Sequence, residues 1–230
     1  MSKTIEKEIC GWKRLAEDEK WLKPSKEYLE NLPNPPKGSI PVGDNFGWEF
    51  HSKEFFADLK KFDWKNKKVL DLGAGRCWTT KELTKKGAIC TGLDIMSEFG
   101  VGVDTAQVYF DQGYKFKTVV GDMNNLPFKD NSFDVVYSYA SMHHTDNLPK
   151  TLSEAYRVLK PGGNLVLSGE PIGTWRNVIG NLILHNKFRD DYGLNETTPF
   201  LSTWLDLLSH CKFSVLERDT KKNLFLIAVK

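Results

Sequence analysis

The sequence predicts an α/β fold in which seven strands form a mostly parallel, doubly wound sheet. Short apolar runs alternate with segments of helical spacing from Lys68 onward, and the first run ends in a glycine turn that leads into a helix. Such alternation requires right-handed crossovers, which place successive strands parallel to one another. The length of 230 residues suits one large α/β domain with additions and is too short for two such domains.

The N-terminal part, residues 1–66, is expected to be a helical extension of the sheet domain. Ile5, Ile9, Trp12 and Ala16 recur at helical spacing among charged residues and predict an amphipathic helix. Its apolar face either packs on the core or brings Trp12 to a substrate wall or a dimer contact. Four prolines between positions 33 and 41 then predict a stiff connector.

The remaining predicted elements are strands and helices in alternation, followed by a final helix and two strands. The predicted strands cover residues 68–72, 89–94, 117–121, 133–139, 164–168, 213–219 and 224–229. The predicted helices cover residues 52–61, 79–86, 104–112, 148–159 and 202–210.

The segment 171–199 is longer than an ordinary connection and carries an apolar stripe at helical spacing. We expect it to be a cap insertion, because ligands of such sheets bind beyond the carboxyl ends of the strands. A helix that only extends the core is the alternative.

One motif organises the chain around a ligand. The strand at residues 68–72 is followed by Gly73 and Gly75, which let backbone amides approach a ligand, and then by a helix whose N-terminus is positive. Asp94 ends the next strand, at the place where such folds hydrogen-bond a ribose. Trp78 stands where the dinucleotide fingerprint has its third glycine, which argues against NAD or FAD. The pattern therefore favours an adenosine ligand without a pyrophosphate.

Later motifs add to this one in a fixed order. They are Gly121-Asp122-Met123, Leu126-Pro127-Phe128, Ser132-Phe133-Asp134-Val135-Val136 and the run from Glu154 to Gly163. Residues 67–168 thereby resemble the class I S-adenosylmethionine-dependent methyltransferases, in particular a broad subgroup with many small-molecule enzymes.

The resemblance implies a Rossmann-like fold whose last two strands form an antiparallel hairpin at the sheet edge. It implies a methyltransferase domain over residues 67–230, with S-adenosylmethionine as cofactor and direct in-line displacement as mechanism. The stretch at 42–51, where glycines alternate with aromatic residues, is then expected to be a cofactor lid, with simple packing as the alternative.

The resemblance also implies roles for single residues. Gly73 and Gly75 would pass around the methionine portion, Asp94 would accept both ribose hydroxyls and Asp122 the adenine amino group. Asp71 would hold the turn or, through water, the cofactor's amino group. The expected cofactor-binding residues are Asp71, Gly73, Ala74, Gly75, Asp94, Ile95, Asp122, Met123, Ser138 and Tyr139.

The acceptor is expected beyond the fourth and fifth strands. His143 and His144 follow the fourth strand, and either could be a general base, since histidine exchanges a proton near neutral pH. The alternative is that they cap the next helix or line the cofactor pocket. The expected substrate-side residues are Phe46, Trp48, Glu170, Trp175, Arg176 and Tyr192.

Composition narrows the class of partner. The net charge of +2 comes from nearly equal numbers of acids and bases, which argues against a nucleic-acid surface. Four widely spaced cysteines indicate neither a zinc site nor a disulfide framework, and no metal is expected. The sequence shows neither a signal peptide nor a transmembrane segment, so we expect a cytoplasmic protein, monomeric or homodimeric.

The leading hypothesis is methyl transfer to a small-molecule acceptor. An RNA or protein methyltransferase and a non-catalytic cofactor-binding partner subunit are the alternatives.

Overall fold

The structure is a computed structural model that describes residues 3–17, 24–36, 48–174, 194, 197–221 and 223–230. Side chains within these ranges are described except those of Thr4, residues 15–17 and residues 48–50. Among the described residues, no helix is both long enough and apolar enough to cross a membrane.

Seven strands form a single sheet in the order β3-β2-β1-β4-β5-β7-β6. β1 to β5 run parallel, whereas β7 is antiparallel to β5 and to β6, so the predicted edge hairpin is confirmed. The strands are β1 (Lys68–Leu72), β2 (Ile89–Asp94), β3 (Lys117–Val120), β4 (Phe133–Tyr139), β5 (Leu159–Glu170), β6 (Ser214–Asp219) and β7 (Leu224–Val229).

Helices precede and connect the strands. In chain order they are α1 (Lys3–Glu17), α2 (Lys26–Glu30), α3 (Trp48–Leu59), α4 (Trp78–Lys85), α5 (Gln107–Asp111), α6 (Leu148–Val158) and α7 (Leu201–His210). Two 3-10 turns, Val103–Ala106 and Met142–His144, complete the described elements.

Four elements differ from the prediction. The helix predicted at 104–112 is a 3-10 turn followed by the short α5, and α3 begins four residues before its predicted start. α2 was not predicted. Its start does have a signal in the sequence: Ser25 caps the helix, and its hydroxyl accepts a hydrogen bond from the Tyr28 amide at 3.1 Å. β5 is longer than predicted because it pairs with β4 from Leu159 onward and with β7 up to Glu170.

Two apolar clusters cover the two faces of the sheet. Val69 belongs to one cluster and Leu70 and Leu72 to the other, as the two-residue period of a strand requires. All three side chains are fully buried, so β1 is an interior strand of the sheet. The candidate site lies at the carboxyl end of β1, where the turn after the strand begins.

Candidate cofactor and active site

The turn after β1 is built from glycines in the left-handed region. Gly73 has φ +67° and Gly75 has φ +48°. The Gly73 and Ala74 amides donate to the Leu93 carbonyl oxygen at 2.9 and 3.0 Å, which ties the turn to β2. A Cβ at Gly73 would lie 2.4 Å from the Cβ and Oγ of Ser141, so only glycine lets the loop after β4 pack this closely.

Asp94 lies at the carboxyl end of β2 and faces the turn. Its Oδ2 accepts a hydrogen bond from the Gly75 amide at 2.8 Å, and its Oδ1 accepts one from the Met96 amide at 2.9 Å. Burial raises the pKa of this carboxyl, and the Met96 and Gly75 amides oppose the shift. The carboxylate is thus fixed by two donors and retains acceptor sites, as a partner for two ribose hydroxyls requires.

Asp71 occupies a different position. It is 1% exposed, and its Oδ2 accepts hydrogen bonds from the hydroxyls of Thr79 and Thr80 at 2.7 and 2.6 Å. Desolvation raises its pKa to about 6, although both threonines oppose the shift. Asp71 therefore holds the glycine turn to the start of α4, the first of its two expected roles.

Asp122 follows β3 and heads a tight turn in which its Oδ1 accepts from the Asn124 amide at 2.8 Å. Asn124 links this turn to the loop after β4. Its Nδ2 donates to Asp146 Oδ1 at 2.7 Å, and its Oδ1 accepts from the hydroxyls of Thr145 and Thr151 at 3.1 and 2.9 Å. The two loops therefore form one wall.

Glu170 ends β5 as a fully buried carboxylate. Its Oε1 accepts from the Ser141 and Met142 amides, each at 2.9 Å, and from the Ser138 hydroxyl at 3.1 Å. Its Oε2 lies 2.9 Å from Nδ1 of His143. Burial alone would raise the pKa of Glu170, but the bonds from His143 and the amides hold that pKa below its usual value. Glu170 thus shapes the loop after β4 and orients the His143 ring.

An aromatic wall closes another side. The Trp78 ring packs edge-to-face against Phe55 and Tyr139, with centroid distances of 4.8 and 5.3 Å. The Tyr139 hydroxyl donates to the His51 carbonyl oxygen at 3.2 Å, which holds α3 against the end of β4. Trp78, where a dinucleotide fold has glycine, therefore forms part of the cavity wall.

These elements enclose a cavity of about 560 Å³, within the usual range for small-molecule sites. α1 contributes three lining residues that the sequence did not assign to the cofactor site: Ile5, Glu8 and Trp12. They lie at i, i+3 and i+7 on one face of the helix. Helical periodicity predicted this face, but no local pattern could show that it meets the cavity.

Most of the expected site residues meet at this cavity. The lining includes Gly73, Ala74, Gly75, Asp94, Ile95, Asp122, Met123, Tyr139, His143 and His144. Asp71 and Ser138 lie behind the cavity wall. Glu170, expected on the substrate side, also lies behind the wall, because it is buried and its carboxylate accepts hydrogen bonds from the loop after β4.

Other expected substrate-side residues lie outside the part of the chain that the structure describes. They are Phe46, Trp175, Arg176 and Tyr192, together with most of the predicted insertion at 171–199. Trp48 is the first residue of α3, and its side chain is not among those described.

Comparison with known proteins agrees with this geometry. Residues 70–167 match the family model described as "Methyltransferase domain". The sterol 24-C-methyltransferase ERG6B of Gibberella zeae is 44% identical over 100 residues, which are 42% of this chain and 26% of that protein. Malonyl-[acyl-carrier protein] O-methyltransferase 1 of Coxiella burnetii is 32% identical over 158 residues, 67% of this chain and 49% of that protein.

A demethylmenaquinone methyltransferase of Corynebacterium glutamicum is 40% identical over 129 residues, which are 56% of this chain and 50% of that protein. The chain thus spans half or less of the length of these curated relatives.

Solved structures share the fold. A protein of Bacillus halodurans superposes with a TM-score of 0.63 at 25% identity, covering 73% of this chain and 71% of that one. An S-adenosylmethionine-dependent methyltransferase of Mesorhizobium loti has a TM-score of 0.61 at 18% identity, covering 77% of this chain and 97% of that one.

The fold and the site together define a Rossmann-like domain of the methyltransferase class. Within that class, residues 70–167 match the methyltransferase domain, and the solved structures that share the fold include an S-adenosylmethionine-dependent methyltransferase. The predicted family, fold and cofactor are confirmed at this level.

Proposed function

We propose that this chain transfers a methyl group from S-adenosylmethionine to a small-molecule acceptor. The observation that carries the proposal is the convergence of the Gly73–Gly75 turn, Asp94 and Asp122 on one cavity at the carboxyl ends of β1, β2 and β3. The three relatives act, by their names, on a sterol, a carrier-bound malonyl group and demethylmenaquinone. None of these acceptors is a nucleic acid, in keeping with the balanced charge of this chain.

The residues present fit the cofactor. Asp94 offers a fixed carboxylate to a ribose diol, and a Cβ at Gly75 would approach only the Val101 carbonyl oxygen, at 3.7 Å, within the described structure. Asp122 and Met123 would hold the adenine. When bound, S-adenosylmethionine supplies a methyl group on a positively charged sulfur.

The protein's own contribution is to align the acceptor and to exclude water. In the aromatic wall, Trp78 and Tyr139 line the cavity and Phe55 packs behind them, which gives that part of the cavity a low polarity. Alignment of reacting atoms alone can supply much of a rate enhancement. The acceptor would lie between this wall and the loop after β4, near His143.

His143 is the better placed of the two candidate bases. Glu170 lies 2.9 Å from Nδ1 and orients the ring, and Nε2 would be the atom that takes a proton from an acceptor hydroxyl or amine. A carbon acceptor that needs no deprotonation would make no use of this base.

The decisive assay is transfer of label from methyl-labelled S-adenosylmethionine in the presence of an extract of cellular metabolites. We expect label in a small, protease-resistant product. Label confined to RNA or protein would favour a macromolecular acceptor, and the absence of label in any fraction, despite cofactor binding, would favour a non-catalytic partner subunit.

The variant His143→Gln extends the same assay to the base. We expect transfer to fall by about 100-fold or more while affinity for S-adenosylhomocysteine is retained, because general bases typically contribute factors of this size. Unchanged transfer would remove His143 from the chemistry and leave the cofactor site in place.

A further inference from the structure

One face of α1 forms the roof at the cofactor end of the cavity. Ile5 and Glu8 line the cavity and are each 8% exposed. Trp12, one turn further on, packs with Met96 and Val101 of the loop that follows β2. α1 therefore lies beside Asp94, over the place expected for the ribose.

Glu8 is a buried carboxylate, and its contacts explain how it is tolerated. Its Oε1 accepts a hydrogen bond from Nε1 of Trp12 at 3.0 Å and lies 3.4 Å from Nδ1 of His144. The Trp12 and His144 rings meet edge-to-face with centroids 5.6 Å apart. A carboxylate removed from water needs such partners. The contact with His144 therefore stabilises α1 in its position against the cavity.

Each of the two adjacent histidines has its Nδ1 atom close to one carboxylate. Nδ1 of His143 faces Glu170 at 2.9 Å, and Nδ1 of His144 faces Glu8 at 3.4 Å, while the two rings lie 4.2 Å apart. The carboxylate of the first pair comes from the sheet. That of the second comes from α1, so the site has all four groups in place only when α1 is seated.

A second polar attachment of α1 lies at the surface. Lys13 and Glu98 form an ion pair at 2.9 Å, but both side chains are substantially exposed, and exposed pairs contribute little. The buried contact between Glu8 and His144 is therefore better suited to hold the helix down.

We propose that α1 is a lid over the cofactor and that Glu8 is a positioning residue, which orients His144 and latches the helix in its closed position. The inference rests on the proposed function. In the closed position Ile5 and Trp12 cover the cofactor end, and cofactor exchange requires α1 to lift. Release of the demethylated product would then be governed by the latch, as lid opening governs turnover in many enzymes.

Dissociation of S-adenosylhomocysteine, followed by stopped-flow fluorescence, tests the latch without knowledge of the acceptor. Glu8→Gln preserves shape and removes the charge, and we expect it to speed dissociation about tenfold, since a hydrogen bond to a charged group is lost. Glu6→Gln on the exposed face of the same helix is the matched control and should leave the rate within about twofold of wild type.

A double-mutant cycle separates positioning from a merely structural role. If Glu8 acts through His144, adding Glu8→Gln to His144→Asn should change the dissociation rate no further, whereas independent effects would multiply. Multiplied effects, or a dissociation rate that Glu8→Gln leaves unchanged, would overturn the lid. Wild-type protein that fails to bind S-adenosylhomocysteine would overturn the proposed function and this inference together.

Discussion

Burial gives Asp71 and Asp94 different tasks, although both lie near the carboxyl ends of neighbouring strands. Asp94 faces the cavity with two backbone donors fixed on its oxygens. Asp71 lies beneath the turn, where two threonine hydroxyls reach one oxygen and no described group donates to the other. The first is suited to a ligand, and the second to holding α4 in place.

The raised pKa of Asp71 predicts a pH-dependent stability. Its pKa is about 6 in the folded protein against an ordinary value of 3.8, so the folded state favours the protonated carboxyl. Its stabilising contribution is complete below about pH 4 and is lost as the pH rises through 6, a change of about 3 kcal/mol. Urea denaturation from pH 4 to pH 8 should show wild type losing stability over this range relative to Asp71→Asn.

Asp104→Asn, at an exposed position of the 3-10 turn after β2, is the control and should follow wild type at every pH. Parallel curves for wild type and Asp71→Asn would show that Asp71 stays ionised in the folded protein.

Single residues were predictable where a local motif marks them. Asp94 and the glycines stand at fixed spacing after predicted strands, whereas Glu8 and Glu170 act through partners from distant parts of the chain. The sequence places Glu170 at the end of β5. The direction of its side chain, beneath the loop after β4, depends on the backbone amides of residues 141–143.

At the scale of elements, the turn after β1 and the loop after β4 determine the shape of the site together. Gly73 lies against Ser141, and the Ser141 hydroxyl donates to the Leu72 carbonyl oxygen at 2.7 Å. The two loops therefore have little freedom to separate.

Gly73→Ala should disrupt this contact. The alanine Cβ would lie 2.4 Å from Ser141, and the positive φ at position 73 is also unfavourable for alanine. Gly162→Ala is a matched control, because Gly162 has a similar φ of +73° and a Cβ there would meet no described atom within 4 Å. Urea denaturation should show Gly73→Ala to be more destabilising than Gly162→Ala by about 1 to 3 kcal/mol, the usual cost of overpacking. Equal losses would mean that the loop after β4 moves aside freely.

Periodicity predicted most elements because their burial follows a two-residue or 3.6-residue repeat. It underestimated β5, which already pairs with β4 at Leu159, although Pro161 and Gly162 follow and the regular pairing with β4 and β7 resumes at Asn164. It also missed α2, which is only five residues long and depends on its cap and on the burial of Tyr28 and Leu29.

At the scale of the whole molecule, the strand order brings the ends of β1, β2 and β3 to one edge and those of β4 and β5 beside them. This arrangement follows from right-handed crossovers and could be predicted from sequence. The roof could not, because α1 reaches the cavity through contacts that join the start of the chain to His144 and Met96.

We propose that S-adenosylmethionine binds at the carboxyl ends of these strands through Asp94. Calorimetric titration of the purified protein tests it most directly. We expect binding of S-adenosylhomocysteine, no binding of NAD, and affinity for S-adenosylhomocysteine reduced about tenfold or more by Asp94→Ala but unchanged by Asp104→Asn. Binding of NAD without binding of S-adenosylhomocysteine, or an affinity that Asp94→Ala leaves unchanged, would contradict the account.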